Sequence, residues 1–245
     1  MGQVNAARWV GLTSTPYRAD ELNGLITMQC GPIRYDLDSP LAATRELRIH
    51  HTDFEPESHE TDGAGMQELC NEIAHDEQRN RQIVELIMAE LSDGRHCLVL
   101  SNRTQHIHSL TELVQEAGIE APVIGLHGKL GKKERQEVTG TLQLVDAAGF
   151  AYVVIASDKI ADEGFNLPGL DTLFLVSPVS FKGKIEQLIG RIQRTDDAER
   201  VIQIHDFVDS NVGVFEAMAR RRHHVIRKRG FNLSMANQTA LLAGD

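Results

Sequence analysis

Short apolar runs alternate with amphipathic stretches through most of the chain. Five of these runs predict strands, and they lie at 97–101, 123–126, 152–156, 172–176 and 201–204. Because the runs are apolar on both faces, they are typical of a parallel sheet that is covered by helices on both sides.

Between these runs, apolar residues recur three and four positions apart, as Ile83, Ile87 and Leu91 do. This spacing places them on one face of a helix. The predicted helices lie around 83–91, 110–118, 132–144 and 184–194. Strands that alternate with helices imply right-handed crossovers, so the expected fold class is α/β with a doubly wound, mostly parallel sheet.

The first 60 residues have a different pattern. Residues 9–12 and 33–37 read as strands, and 46–51 alternates less clearly. Residues 50–65 are polar and contain Pro56, Gly63 and Gly65, which predicts a linker or an exposed loop.

Composition narrows the class of protein. The 245 residues are 41% hydrophobic and 24% charged, which is typical of a soluble globular protein. No apolar run reaches the roughly 18 residues of a membrane span, and the first residues do not resemble a secretory signal. Three widely spaced cysteines exclude a disulfide framework and a C-x-x-C zinc site, so we expect no metal site and a cytoplasmic location.

Charge is unevenly distributed along the chain. The net charge is −10, yet residues 181–230 hold 11 Lys and Arg against 7 Asp and Glu. Within that segment, 212–229 predicts a helix with a cluster of basic residues, which are Arg220, Arg221, Arg222, Arg227, Lys228 and Arg229. The cluster either complements the negative end of the helix dipole or guides an anionic partner.

Candidate chemistry begins with Gln187, Arg191 and Arg194. On a helix these residues share one face, and two guanidinium groups one turn apart can grip phosphate oxygens. The alternative is a surface helix with two solvated arginines. Three further polar groups follow predicted strands, at 101–106, 127–129 and 157–168, where doubly wound sheets bind ligands.

Taken in order, these segments resemble the second RecA-like lobe of a superfamily-2 helicase. Residues 98–103 resemble motif IV, 154–168 resemble motif V and 187–194 resemble motif VI, Q-x-x-G-R-x-x-R. Residues 11–18 resemble motif III, with Ser14 in place of the usual Ala.

Two shorter segments resemble phage and restriction-type DEAD-like helicases in particular. They are Asp76-x-x-Arg79-Asn80 and Asp206-Phe207-Val208-Asp209.

The resemblance implies roles for individual residues. Arg191 and Arg194 would be arginine fingers that reach the γ-phosphate of ATP, with Gln187 ordering that face. Three motif V residues would contact ATP, and these are Glu163, Gly164 and Asn166, the last standing where the family usually has Asp. A second set would contact the nucleic-acid backbone, namely Ser101, Asn102, Arg103, His127 and Ser157. Thr13 and Thr15 would couple the two ligands.

Two parts of a complete ATPase are not found in the sequence. A phosphate loop requires G-x-x-x-x-G-K-[ST], but Gly128-Lys129, Gly131-Lys132 and Gly183-Lys184 are each followed by the wrong residue. No D-E-x-[HD] follows a predicted strand. We therefore expect a RecA-like fold of the P-loop NTPase type without its own P-loop.

The expected domain organisation follows the motif order. Residues 1–35 would end the first RecA-like lobe, 36–65 would be a linker and extended segment, and 66–245 would be the helicase C-terminal domain. The chain would be the C-terminal half of an ATP-dependent DNA helicase or translocase, either a split subunit or a truncated reading frame. ATP with Mg²⁺ would be bound mainly by a separate N-terminal half. The alternative is a non-catalytic nucleic-acid-binding or assembly module that kept the helicase fold.

Overall fold

A computed structural model of the chain describes residues 27–28, 30–35, 44–57, 63–128, 131–157, 167–179, 182–192 and 200–234. Seven strands are described, and they are β1 (Arg45–His51), β2 (His96–Leu100), β3 (Val123–Leu126), β4 (Tyr152–Ala156), β5 (Thr172–Leu175), β6 (Ile202–Val208) and β7 (Asn232–Leu233). Six helices are described, and they are α1 (Gly63–His75), α2 (Glu77–Ser92), α3 (Thr104–Glu116), α4 (Lys132–Ala148), α5 (Lys182–Ile192) and α6 (Gly213–Lys228).

The described strands form one sheet in the order β3-β4-β2-β5-β6-β1-β7. Every neighbouring pair is parallel. The predicted α/β class with a doubly wound parallel sheet is therefore confirmed, and each of the five predicted strands overlaps an observed one.

Helices cover both faces of the sheet because successive strand residues point to opposite sides. On one face, Leu98 and Val154 belong to the cluster that includes apolar residues of α4, α5 and α6. On the other face, Val99 and Val153 pack with α2 and α3. Strands β2, β4, β5 and β6 are buried along their whole length, which explains why β2, β4 and β5 are largely apolar on both faces. Strand β6 also buries the polar residues Gln203, His205 and Asp206.

The segment before residue 66 partly departs from the sequence prediction. Residues 33–35 lie outside any strand, contrary to expectation, whereas 45–51 forms β1. Strand β1 pairs with β6, so the predicted linker contributes a strand to the sheet. Residues 63–65 begin α1 rather than continuing a loop. The division of the chain into 1–35, 36–65 and 66–245 stays a prediction.

The strand 9–12 predicted from the sequence, and with it the motif III segment, lies outside the described residues. No helix in the described ranges is both long enough and apolar enough to cross a bilayer.

Candidate functional site

The carboxyl ends of three neighbouring strands bring predicted site residues together. In the sheet register, Ala156 of β4 is the partner of both Leu100 of β2 and Leu126 of β3. The Ser101 backbone N–H donates to the Ala156 carbonyl over 3.1 Å, and that of Ser157 donates to the Leu126 carbonyl over 3.1 Å. Residues 101, 127 and 157 therefore start adjacent loops at the carboxyl ends of the strands, as the sequence predicts. We call this end of the sheet the carboxyl edge.

Ser101 is fully buried, so its side chain does not face solvent. Its hydroxyl lies 3.0 Å from Nδ1 of His106, and Nε2 of that ring lies 2.9 Å from Oδ1 of Asn80. The Asn80 amide nitrogen donates to the Ala74 carbonyl, so Oδ1 is the acceptor that faces the ring. This arrangement assigns the proton to Nε2 of His106 and makes Nδ1 the acceptor for the Ser101 hydroxyl.

The same hydroxyl organises the loop that follows β2. The Arg103 backbone N–H donates to Oγ of Ser101 over 3.2 Å, and the Asn102 N–H donates to Oγ of Ser177 over 3.1 Å. The two hydroxyl oxygens are 3.3 Å apart. Ser101 therefore positions the loop, because its hydroxyl holds the Arg103 N–H and lies next to the Ser177 hydroxyl that holds the Asn102 N–H.

Burial keeps this relay uncharged. Desolvation and then the nearby Arg79 guanidinium lower the pKa of His106 from 6.5 to about 3. A neutral imidazole can accept from Ser101 and donate to Asn80 at the same time, whereas an imidazolium could only donate. The loop after β2 thus rests on a neutral histidine at physiological pH.

Asn102 and Arg103 have different environments in that loop. Asn102 is exposed, whereas Arg103 is partly buried and its Nη2 donates to the Gln67 carbonyl of α1 over 3.1 Å. Asn102 is thus the more accessible of the two for a ligand.

His127 and Ser157 follow the two neighbouring strands and are both partly buried. The His127 ring lies against that of His108 of α3, with centroids 4.4 Å apart. Both residues line the predicted edge, next to the loop after β2.

Helix α5 presents the motif VI residues that the structure describes. Its inner face is formed by Ile185, Leu188, Ile189 and Ile192, which are buried. Gln187 is exposed and Arg191 is partly exposed, so the predicted shared outward face is observed for this pair. Gly190 lies between them, and among the described residues no atom outside its own turn of the helix lies within 4 Å of the position that a Cβ would occupy there.

Several predicted residues lie outside the described part of the chain. These are Thr13, Thr15, Glu163, Gly164, Asn166 and Arg194. Among the residues that are described, no three His, Cys, Asp or Glu side chains are placed to hold one metal ion.

A buried ion pair that the sequence did not predict joins the two phage-type segments. Nε of Arg79 donates to Oδ1 of Asp209 over 2.7 Å, and Nη2 donates to the Val176 carbonyl over 2.9 Å. The Thr52 hydroxyl donates to the same Asp209 oxygen over 2.6 Å. Because these partners follow β1, β5 and β6, Arg79 ties together three loops at the carboxyl edge.

The spacing of the first segment explains its role. Asp76 caps α2 by accepting from the Arg79 backbone N–H over 2.7 Å. Arg79 then holds the carbonyl before Ser177, while Asn80 holds His106, so this one turn of α2 supports both ends of the Ser101 relay. Sequence resemblance marked these residues but carried no information about their partners.

The second segment corrects one expectation about α6. Arg222 was counted in the basic cluster, but it is buried, and its Nε donates to Oδ1 of Asp206 over 2.7 Å. Although burial by itself raises the pKa of Asp206, Arg222 and His223 lower it below its ordinary value. Arg222 is thus an internal ion-pair partner, and only the other members of the cluster are exposed.

Comparisons with known proteins agree with this architecture. Residues 78–196 match the family described as helicase conserved C-terminal domain. The ATP-dependent RNA helicase-like protein L396 of Acanthamoeba polyphaga mimivirus is 22% identical over 239 residues, covering 94% of this chain and 44% of L396. The helicase-like protein D10 of Escherichia phage T5 is 26% identical over 194 residues, covering 78% of this chain and 41% of D10.

Structural similarity supports the same fold. The crystal structure of UvsW from phage T4 aligns with a TM-score of 0.56 at 13% identity, covering 80% of this chain and 42% of UvsW. The chain spans less than half the length of L396 and of D10. The parallel sheet and the family match together identify residues 78–196 as a helicase conserved C-terminal domain, with a fold similar to the second RecA-like lobe of superfamily-2 helicases.

Proposed function

We propose that the chain works as the second lobe of an ATP-dependent DNA helicase or translocase, opposite an N-terminal half that binds the nucleotide. The observation that carries this proposal is the outward face of α5, where Gln187 and Arg191 flank Gly190. These two residues stand at the Gln and first Arg positions of the motif VI pattern Q-x-x-G-R-x-x-R, where helicases of this type carry an arginine finger.

The geometry of α5 suits an arginine finger. The buried apolar row of α5 fixes the helix against the sheet, so Arg191 is presented from a rigid support. The open space at Gly190 lets another backbone or a phosphate group approach the helix closely. In related phosphoryl-transfer enzymes such an arginine accelerates turnover by roughly 10³–10⁵. Arg194 and Gln187 complete this face in the proposal.

Nucleic acid would lie across the loops at the carboxyl edge. Asn102, Arg103, His127 and Ser157 would contact the phosphate backbone, with Ser101 positioning the first two. Backbone contacts carry no sequence information, so this contact would be independent of sequence. Thr13 and Thr15 would couple nucleotide turnover to this strand.

ATP and Mg²⁺ would be held mainly by the N-terminal half. On this chain, Glu163, Gly164 and Asn166 would approach the nucleotide, and Asn166 would donate or accept a hydrogen bond at a ribose hydroxyl. When bound, Mg²⁺ supplies charge neutralisation at the phosphates. The chain's own part is to orient the γ-phosphate and to stabilise its developing charge through the guanidinium groups.

The test is ATP hydrolysis in a reconstituted pair. The chain is mixed with the product of the adjacent upstream reading frame, if that frame encodes a phosphate loop and D-E-x-[HD]. DNA-stimulated turnover is expected, and Arg191→Ala should lower kcat by about 10³-fold or more while changing the KM for ATP little. The matched control is Arg81→Ala, an exposed arginine of α2.

Equal turnover for Arg191→Ala and the Arg81→Ala control would contradict the proposal. Turnover that is stimulated by RNA and not by DNA would change the substrate while keeping the arginine-finger role.

A further inference from the structure

Helix α6 presents a row of exposed basic side chains, which we call the basic stripe and define as Arg220, Arg221, His224, Arg227 and Lys228. Successive positions are one, three, three and one residues apart, so they lie on one face of the helix. The face opposite carries Phe215, Ala219, Val225 and Ile226, which are buried.

The stripe is held rigidly from inside the protein. Arg222 and His223 lie between its members, and both contact Asp206 of β6, whose carboxylate is fully buried. Arg222 also donates to the Phe207 carbonyl over 3.0 Å. Because these bonds fix the helix, a ligand that binds its outer face has to order only the side chains there. The cost is therefore limited to their conformational entropy.

Most of the stripe has no internal counter-charge. Arg220 pairs with Glu216 at 2.9 Å, on a side chain that is 67% exposed. Within the described residues, Arg221, Arg227 and Lys228 form no ion pair, although the chain as a whole has a net charge of −10. A row of like charges without partners repels itself, and an anionic ligand would relieve that repulsion.

The stripe lies away from the loops described above. Helix α6 begins after the carboxyl end of β6. Arg229 directly follows α6, and its carbonyl accepts a hydrogen bond from Nη1 of Arg45 over 2.7 Å. Arg45 begins β1, at the opposite edge of the sheet. The stripe therefore extends toward the amino edge of the sheet, away from Asn102 and His127.

The composition of this face favours nucleic acid over protein. No large apolar side chain of α6 is exposed, whereas the centres of protein–protein interfaces are apolar and depleted of charge. Arg221 and Lys228 are about 10 Å apart along the helix axis, and successive phosphates of one strand advance about 3.4 Å. A row of this length spans about three phosphates.

We infer that the basic stripe is a second binding surface for the phosphodiester backbone of nucleic acid. This inference deepens the proposed function, on which it rests, by adding a contact outside the carboxyl-edge loops. Arginine groups contact phosphate oxygens in pairs, which suits a backbone contact without base recognition.

The test is fluorescence anisotropy of the full chain with a labelled 20-nucleotide DNA single strand, titrated at several salt concentrations. The variant is Arg221→Gln/Arg227→Gln/Lys228→Gln. Its charge-matched control is Arg34→Gln/Arg81→Gln/Lys133→Gln, which removes three exposed cations elsewhere. The stripe variant should bind at least about tenfold more weakly at low salt, and its salt slope should fall by about 2. The control should differ from the unmodified chain by less than threefold.

Equal affinity of the stripe variant and the unmodified chain, or equal losses in the variant and its control, would overturn the inference. A parallel variant, Asn102→Ala/Arg103→Gln, separates the two claims. If only the loop variant loses binding, the loop contact of the proposed function is supported and the binding role of the basic stripe is refuted. If only the stripe variant loses binding, the stripe is supported and the loop contact is refuted.

Competition identifies the ligand. Displacement of the labelled strand by single-stranded RNA or duplex DNA supports a contact with the phosphodiester backbone. The concentrations needed rank the affinities of these nucleic acids. Displacement by polyglutamate at equal charge concentration would overturn the assignment to nucleic acid and indicate an acidic protein surface.

Discussion

Arg79 and Asp209 form a buried ion pair across 130 residues of sequence, with Nε and Oδ1 2.7 Å apart. Their side chains are 1% and 3% exposed. The pair joins the first turn of α2 to the loop after β6, and through Val176 it reaches the Ser101 relay. The two segments that resemble phage helicases thus meet in space and support the loop after β2.

Breaking this pair should destabilise the whole lobe. Asp209→Asn would leave the Arg79 guanidinium buried without its counter-charge, so the free energy of unfolding should fall by about 3–5 kcal/mol. The control is Asp53→Asn, the same change at an exposed position nearby. Chemical denaturation measures both, and a loss below 1 kcal/mol for Asp209→Asn would refute the structural role.

Arg222 and Arg220 should respond oppositely to the same substitution. Arg222→Gln leaves the fully buried Asp206 carboxylate without its main partner, and we expect a clear drop in melting temperature. Arg220→Gln removes an exposed pair with Glu216, which contributes at most about 1 kcal/mol. Equal melting temperatures for the two variants would show that Arg222 is not an internal anchor.

Protein stability should decrease on acidification because of His106. Its pKa is 6.5 when unfolded and about 3 when folded, so the unfolded chain binds more protons between these values. The stabilising contribution is complete above pH 6.5 and is lost as pH falls toward 3, by up to about 1.4 kcal/mol per pH unit.

Urea denaturation between pH 7 and 4.5 measures this slope. His106→Gln removes the titrating group, so its unfolding free energy should depend less steeply on pH, even though the variant is less stable at pH 7. His50 and His205, whose pKa values burial also lowers, add a slope common to both proteins. Identical slopes would exclude His106 as the source.

The chain by itself should not hydrolyse ATP above the buffer rate, with or without DNA. The reason is that its sequence contains neither a phosphate loop nor a D-E-x-[HD] segment after a predicted strand. A coupled-enzyme assay on the purified chain measures this rate. DNA-stimulated turnover that Arg194→Ala abolishes would overturn the two-part model.

Binding to single-stranded DNA should be weak, salt-sensitive and independent of sequence. Phosphate contacts dominate such binding, and one lobe supplies only part of the binding track, in a chain with a net charge of −10. Anisotropy with poly-dT and with mixed-sequence strands should give equal affinities that fall with salt. Tight binding that salt does not change, or preference for one sequence, would contradict this expectation.

Between residues 83 and 229, the sequence alone determined the order of the described strands and helices. Runs such as 97–100 and 152–156 are apolar at every position, which is typical of a strand buried on both faces. The buried apolar face of α5 followed from the same kind of periodicity. The position of residues 101, 127 and 157 at the carboxyl edge followed from the predicted strands that they end. The local pattern is sufficient in these cases because residues on one face recur every two positions in a strand and every three to four positions in a helix.

Tertiary structure decided which polar side chains are internal. Arg220 and Arg222 are two residues apart in one basic cluster, yet the first is exposed and the second pairs with Asp206. Ser101 was predicted as a ligand contact but is buried under the loop that it orders. Composition and spacing cannot distinguish these outcomes, because the partner of a buried polar group comes from another element of the chain. That partner is placed only when the strands have paired and the helices have packed on the sheet.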